Sequence, residues 1–249
     1  MVAQNRKSES ASIAEGSKRR ERAHRILDAA AELVQRWGYK KTTIDDIVRQ
    51  AGVAKGTIYL HWKTREDLFI ALFLREAIDA GVEMLERVRS DPEGILLHNL
   101  TKHAIYVTLN RPLIKALYVG DVEMLGELVH SEHETMVMLT RRKLLTSEGI
   151  LELMRNKRMI RTDMSIPVQV HVYSAIVMGF LTVEGYLPEQ YHLPIEQAVE
   201  ELAETVRRTF GPDEPVPAAT LKEVESIFHQ IYQQYLDTVK EQVQREMEA

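Results

Sequence analysis

Apolar residues recur at helical spacing along almost the whole chain. Ile26, Leu27, Ala30, Leu33, Val34 and Trp37 fall on one stripe, and Gly38 supplies its stop. Thr42 and Thr43 offer N-caps to a short helix with Asp45 and Asp46 in its first turn and Ile44, Ile47 and Val48 on its apolar face. Ala51-Gly52-Val53 interrupts that helix, and a second short one is predicted over 55–61. Thr64-Arg65-Glu66-Asp67 caps a long helix reaching Arg89. Asp91-Pro92 is a break and a fresh start. Further helices are predicted over 93–109, 112–119, 121–129 and 132–158, from 163–167 to Tyr186, and from Pro194 to Phe210. Gly211 to Pro217 reads as a linker. Beyond it, Leu221, Val224, Phe228, Ile231, Tyr235 and Val239 mark a long last helix. No stretch alternates in the manner of strands, so the expected fold class is all-α with about ten helices.

The division that follows is a flexible basic and polar arm at 1–17, read as mobile, then a three-helix module at 18–65. A larger helical body spans 66–211, and a linker with an additional C-terminal helix spans 212–249. Hydrophobic residues make up 45% and charged residues 28% of the 249, a balance that excludes general disorder. The absence of cysteine excludes disulfides, thiolate metal sites and a cysteine nucleophile. No apolar run is expected to span a bilayer; the best, Ile176 to Leu187, is short and contains Glu184. A soluble, cytoplasmic protein without a membrane partner is therefore expected.

The net charge of -5 hides an asymmetry. Residues 1–65 carry 14 Lys+Arg and 7 Asp+Glu, whereas the remainder carries 18 and 30. A basic head on an acidic body suits a head that meets a polyanion. The stretch Thr42 to Leu68 supplies the means. Two short helices flank a turn at Gly52, Ala51 keeps their contact close, and Val53 plugs the space beneath. That is the physical signature of a helix-turn-helix, whose second helix enters the major groove. Lys55 and Thr57 stand at the start of that helix, where backbone N–H groups favour phosphate. Gly56 allows close approach to the DNA backbone. Tyr59 and His61 offer polar tips, Lys63 and Arg65 continue the basic edge, and Thr43 can grip a phosphate. Trp37 and Trp62 are expected in the core.

Residues 20–70 resemble the DNA-binding domain of TetR/AcrR-type regulators. The resemblance rests on Gly38-Tyr39, Thr43, Ile44, Ile47, Ala51-Gly52-Val53, Lys55-Gly56-Thr57-Ile58-Tyr59, His61-Trp62, Lys63 and Leu68. The chain departs from the family pattern at Ala54, where a small hydroxyl residue is common, at Trp62 in place of Phe, and at Arg65 in place of Lys. The resemblance implies a repressor-like homodimer on an inverted-repeat, double-stranded DNA operator, released by a small-molecule effector. It implies that Thr43, Lys55, Gly56, Thr57, Tyr59, His61 and Lys63 contact DNA. The body would hold the effector pocket and the dimer interface. The effector is expected to be organic and partly apolar, with His103, Tyr106, Tyr118, Met124, His133, His171 and Tyr173 as candidate contacts. The interface is expected on the helices at 164–186 and 194–210, through Val172, Ile176, Phe180, Val199, Leu202 and Val206.

His130 and His133 also stand three apart on a helix, which is compatible with a metal sensor. No tight multi-ligand spacing accompanies them, and no metal or cofactor is expected. No phosphate-binding loop, H-E-x-x-H or G-x-S-x-G is present, so no enzymatic activity is expected.

Overall fold

The computed structural model describes residues 2–130 and 148–248, with side chains over 16–128 and 148–241. Among these residues helices are the only regular secondary structure. Helix α1 spans Val2–Trp37, α2 Ile44–Ala51, α3 Lys55–Tyr59 and α4 Arg65–Ser90. Helices α5 (Leu97–Leu109), α6 (Pro112–Val119) and α7 (Val122–Leu125) follow, with a 3-10 turn at Gly126–His130. Helix α8 occupies 148–156. It is succeeded by α9 (Ile166–Thr182), α10 (Ile195–Phe210) and α11 (Ala218–Glu248). The polar segment expected as a mobile arm is thus the start of α1. It contains no Pro, and its Ala, Glu, Lys and Arg are good helix formers, so helix propagates without an apolar stripe.

Two cores share helix α4. The head core joins Ile26, Ala30 and Val34 of α1 to Ile47 of α2, Ile58 of α3, Trp62, and Leu68, Phe69 and Leu72 of α4. The body core joins Met84 and Val88 of α4 to α5, α8, α9, α10 and α11. Along α10, Val199, Leu202, Val206 and Phe210 are fully buried against that core. Helix α11 lies on α4, with Val239 packed against Ile70 and Leu74. Further along, the Gly81 position leaves no room for a Cβ, which would come within 2.5 Å of Leu236 Cδ2.

Two apolar expectations fail. Trp37 lies at the end of α1 with 41% of its surface exposed, beneath the Arg36 guanidinium rather than in the core. The stripe of α1 has turned past its partners by that point. Second, Ile166–Tyr186 is 21 residues long with a mean hydropathy of 1.6, enough to cross a membrane by length and composition. Gln169 and His171 break the run to the eye but leave its mean apolar. In the structure this segment is a body helix. The Gln169 amide is buried, donating to the Arg161 carbonyl at 2.7 Å and accepting from the Arg155 guanidinium at 3.2 Å.

Candidate nucleic-acid interface

The α2–α3 unit is fixed by local chemistry. Thr43 caps α2, accepting from the Asp46 N–H through its Oγ at 3.2 Å, while its own N–H donates to the Asp46 carboxylate at 3.2 Å. The Thr43 hydroxyl also donates to that carboxylate at 2.6 Å, and these bonds hold the Asp46 carboxyl below its usual range. Gly52 ends α2 at φ 65°, ψ 39°, a left-handed conformation that glycine adopts without a Cβ penalty. The chain therefore reverses within three residues and begins α3 at Lys55. Ala54 stands at the cap of α3 and provides no side-chain bond to it. The first N–H groups of α3 consequently carry no side-chain acceptor.

Helix α3 is divided into an inner and an outer face. Ile58 and Trp62 are buried. Lys55, Gly56 and Tyr59 face outward, with Tyr59 49% exposed. A Cβ built at Gly56 would meet nothing within 4 Å, so the protein's own packing does not require glycine there. Lys55 Nζ lies 2.8 Å from Asp45, a solvent-exposed pair that contributes little and separates readily when a stronger anion approaches. The Asp45 carboxylate raises the Lys55 ammonium above its ordinary value, so Lys55 remains charged. Thr43 is exposed and Thr57 half-buried, and Lys63 is exposed beyond the end of α3. The result is a convex ridge with positive charge at one end, an aromatic hydroxyl in the middle and bare backbone between them.

Two expected contacts point elsewhere. His61 is 5% exposed, its ring 5.2 Å from Trp62, and its Nδ1 has no hydrogen-bond partner. The turn after α3 brings it near Arg19 and Arg22 of α1. Burial, helped by the Arg19 and Arg22 guanidiniums, depresses its protonation. Arg65 is turned into the head. Its Nε donates to the Thr42 carbonyl at 3.0 Å, a terminal nitrogen donates to the Tyr39 carbonyl, and its guanidinium sits 3.8 Å over the Tyr39 ring. The carbonyls of the 39–42 turn face the first turn of α4, and the guanidinium fork matches them. One further residue at this surface escaped sequence reasoning. Leu60 is 69% exposed at the tip of α3, and Arg19 donates to its carbonyl at 3.3 Å. Leu60 was legible in principle, because it lies opposite the buried Ile58 and Trp62 positions.

The head is tied to the body at a second joint. The Tyr39 N–H donates to the Met124 carbonyl at 2.8 Å. Gly38, at φ 76°, approaches so closely that a Cβ would lie 2.8 Å from the Glu123 carbonyl oxygen. Met124, expected at an effector site, packs instead on the head core. A chain of charges then follows α4. Asp28 of α1 pairs with Arg75 at 2.7 Å, Arg111 bridges Glu76 and Glu83, and Glu83 holds Arg87 at 2.9 Å. The Arg87 guanidinium lies 3.9 Å over the Tyr106 ring.

The remaining effector candidates scatter. Tyr173 shares a 3.0 Å hydrogen bond with Thr101 and meets Phe210 edge-on. Tyr118 joins Tyr232 and Tyr235 of α11, and burial pushes its hydroxyl up to about 12. His103 is engaged by Asp91 at 2.9 Å, and His171 is exposed on α9. His133 and its neighbour His130 in the proposed metal pair bear on residues 129–147, where side chains lie outside the described residues. Among the described residues no cluster of His, Asp and Glu is grouped to hold a metal. The α10 residues Val199, Leu202 and Val206, expected at a dimer interface, are enclosed in the protomer's own core. The α9 residues Val172, Ile176 and Phe180 are half-buried.

The family model for bacterial regulatory proteins of the tetR family matches residues 26–72, which is the end of α1 through the first turns of α4. The head, residues 26–72, is thus similar to the tetR family. This head is 44% identical over 61 residues to the fatty acid metabolism regulator protein of Bacillus subtilis, covering 24% of this chain and 31% of that one. The regulator AcrR of Shigella flexneri is 30% identical over 109 residues, covering 41% and 50%. The chain thus aligns with half or less of the length of these two relatives. The crystal structure of FadR from Bacillus subtilis in complex with stearoyl-CoA has a TM-score of 0.57 at 19% identity, covering 74% of this chain and 96% of that one. That likeness is one of fold: a similar arrangement of helices follows the head.

Proposed function

We propose that the chain is a ligand-responsive transcriptional regulator, a repressor bound as a homodimer to an inverted-repeat operator and released by a small organic effector. The observation that carries this reading is the outward face of α3. Lys55, Gly56 and Tyr59 project from a rigid two-helix turn, and Gly56 is bare where no neighbour in the chain demands it. Lys55, Lys63 and the uncapped N–H groups of α3 meet phosphates and set register, while Tyr59 and Leu60 meet base edges and thymine methyls. Thr43 contributes through the N-terminus of α2. His61 and Arg65 shape the module from within.

The dimer forms on α9. Only 17% of its apolar window is buried in the protomer, and Val168, Ala175, Gly179 and Val183 line one exposed face. A second α9, related by a two-fold axis, covers that face and sets two recognition helices about 34–36 Å apart or somewhat further. The tyrosines of α6 and α11 and the Arg87–Tyr106 pair stand along α4, and Tyr173 of α9 belongs to the same body core. An effector that repacks them shifts α4, and with it the Asp28–Arg75 link to the head. Ligand and operator then weaken one another by the same factor. The protein acts in the cytoplasm, where DNA is accessible, without catalysis.

Selection of bound sites from a random duplex library tests the reading. Recovery of an inverted repeat, lost for Lys55→Ala and Tyr59→Ala, is the expected result. Recovery of no motif from the wild-type chain would overturn it.

A further inference from the structure

Helix α1 is longer than the head requires. Its 36 residues extend about 54 Å, but its buried stripe begins only at Ala23. The turns before that point are exposed from Gly16 to Glu21. They do not project away from the recognition helix. Arg19 donates to the carbonyl of Leu60 at the end of α3, and Arg19 and Arg22 both lie close enough to His61 to bear on its protonation. The tip of α3 and this stretch of α1 therefore form one continuous surface.

That surface is strongly positive. Residues 18–25, KRRERAHR, hold five basic side chains and one acidic one. Among the described residues no carboxylate pairs with Lys18, Arg20, Arg22 or Arg25. Several cations elsewhere do have such a partner: Arg75, Arg87, Arg111, Lys157 and Arg207 each meet a carboxylate. Lys18, Arg22 and Arg25 recur at spacings of four and three and so share one face. A row of cations at helical spacing fits a row of anions at fixed pitch, and duplex DNA presents one.

We propose that the Lys18–Arg25 face of α1 is a second DNA-contacting surface, which grips phosphates flanking the half-site read by α3. It extends the footprint outward and adds affinity without adding sequence preference. The inference rests on α3 being the recognition helix.

The test compares the full-length chain with the triple variant Lys18→Gln, Arg22→Gln, Arg25→Gln. Affinity is measured against salt on two duplexes. One ends at the two half-sites, and the other continues for about one helical turn, roughly 10 bp, on each side. Each phosphate contact contributes about 0.9 to the slope of log affinity against log salt. The variant is expected to lose about 2 to 3 from that slope on the long duplex and nothing on the short one. Equal slopes for variant and wild type on the long duplex would overturn the proposal. Equal losses on both duplexes would overturn it too, by placing the contacts inside the half-site. Should the triple variant lose helicity, Glu21→Gln reads the same surface with the opposite sign: tighter binding to the long duplex supports the proposal, and no change overturns it. If the wild-type chain shows no preference for an inverted repeat, the reading of α3 fails, while the slope on a long duplex of arbitrary sequence still reports on α1.

Discussion

His61 illustrates what a single side chain does when its surroundings, rather than its chemistry, set its role. A polar tip on a recognition helix is a natural DNA contact, yet this imidazole is buried with an unpartnered Nδ1. Burial, with Arg19 and Arg22 reinforcing it, holds its pKa below the ordinary 6.5. The unfolded chain therefore takes up a proton more readily than the folded one. The contribution of His61 to stability is full above about 6.5 and is lost as pH falls below that value toward the folded pKa. Both tryptophans, Trp37 and Trp62, are in the head, so their fluorescence follows this module. Thermal unfolding monitored this way is expected to shift to lower temperature below pH 6.5, and less steeply for His61→Gln. Identical acid limbs for the two proteins would contradict the assignment. Local chemistry was legible at this scale: the Thr43–Asp46 box and the left-handed Gly52 follow from residue type and spacing. The inward turn of His61 and Arg65 was not, because it depends on which segments arrive beneath them from elsewhere in the chain.

At the level of elements, helix boundaries were readable wherever Pro and Gly punctuate the chain. Helix α6 begins at Pro112 and ends before Gly120, which adopts φ 68°, and α10 runs from Ile195 to Phe210 as the stripe implies. What periodicity could not name was the partner of each stripe. Val199, Leu202 and Val206 lie on a sound apolar face, but that face meets α5 and the rest of the protomer's core rather than a second copy. The α11 stripe was equally clear, and its partner turns out to be α4, the helix that joins body to head. Gly81 is a point of close approach in that contact. Gly81→Ala removes a helix-interior glycine, worth about 1 kcal/mol, but drives a Cβ against the buried Leu236 side chain, and overpacking costs about 1–3 kcal/mol. The expected net is a loss of the order of 1 kcal/mol in denaturant unfolding. The companion change Leu236→Ala is expected to cost less in the Gly81→Ala background than alone. Additive effects would show that the two positions are not coupled.

For the whole molecule, charge and exposed apolar surface divide the labour. Basic residues gather on α1, with Lys55 and Lys63 at either end of α3, and the apolar surface left open gathers on α9 and the segment after it, where Tyr186 is 86% exposed. A face of that composition on a charged protein calls for a cover. Gly179 stands on it, and a side chain there would meet nothing within 4 Å inside the protomer. Gly179→Glu is therefore expected to leave helicity intact and convert the dimer into a monomer by light scattering. A dimer that survives it would move the interface elsewhere. All-helical architecture, the head and its turn were foreseeable, since they rest on spacing within short windows. Burial of α10 and the Met124 joint were not, since each arises from long-range packing, and the helical start of α1 was not, since it carries no apolar stripe to announce it.

The central claim is that α3 reads DNA through an outer face that the fold itself does not need. Gly56→Ala tests this most directly, because the added methyl meets empty space in the protein and only a closely approaching DNA backbone can clash with it. Affinity for the selected inverted repeat, measured by fluorescence anisotropy on wild type and variant, is the decisive quantity. The expected result is a loss of tenfold or more, about 1.4 kcal/mol, with thermal stability equal to or above that of wild type. Unaltered affinity in a folded Gly56→Ala chain would contradict the account.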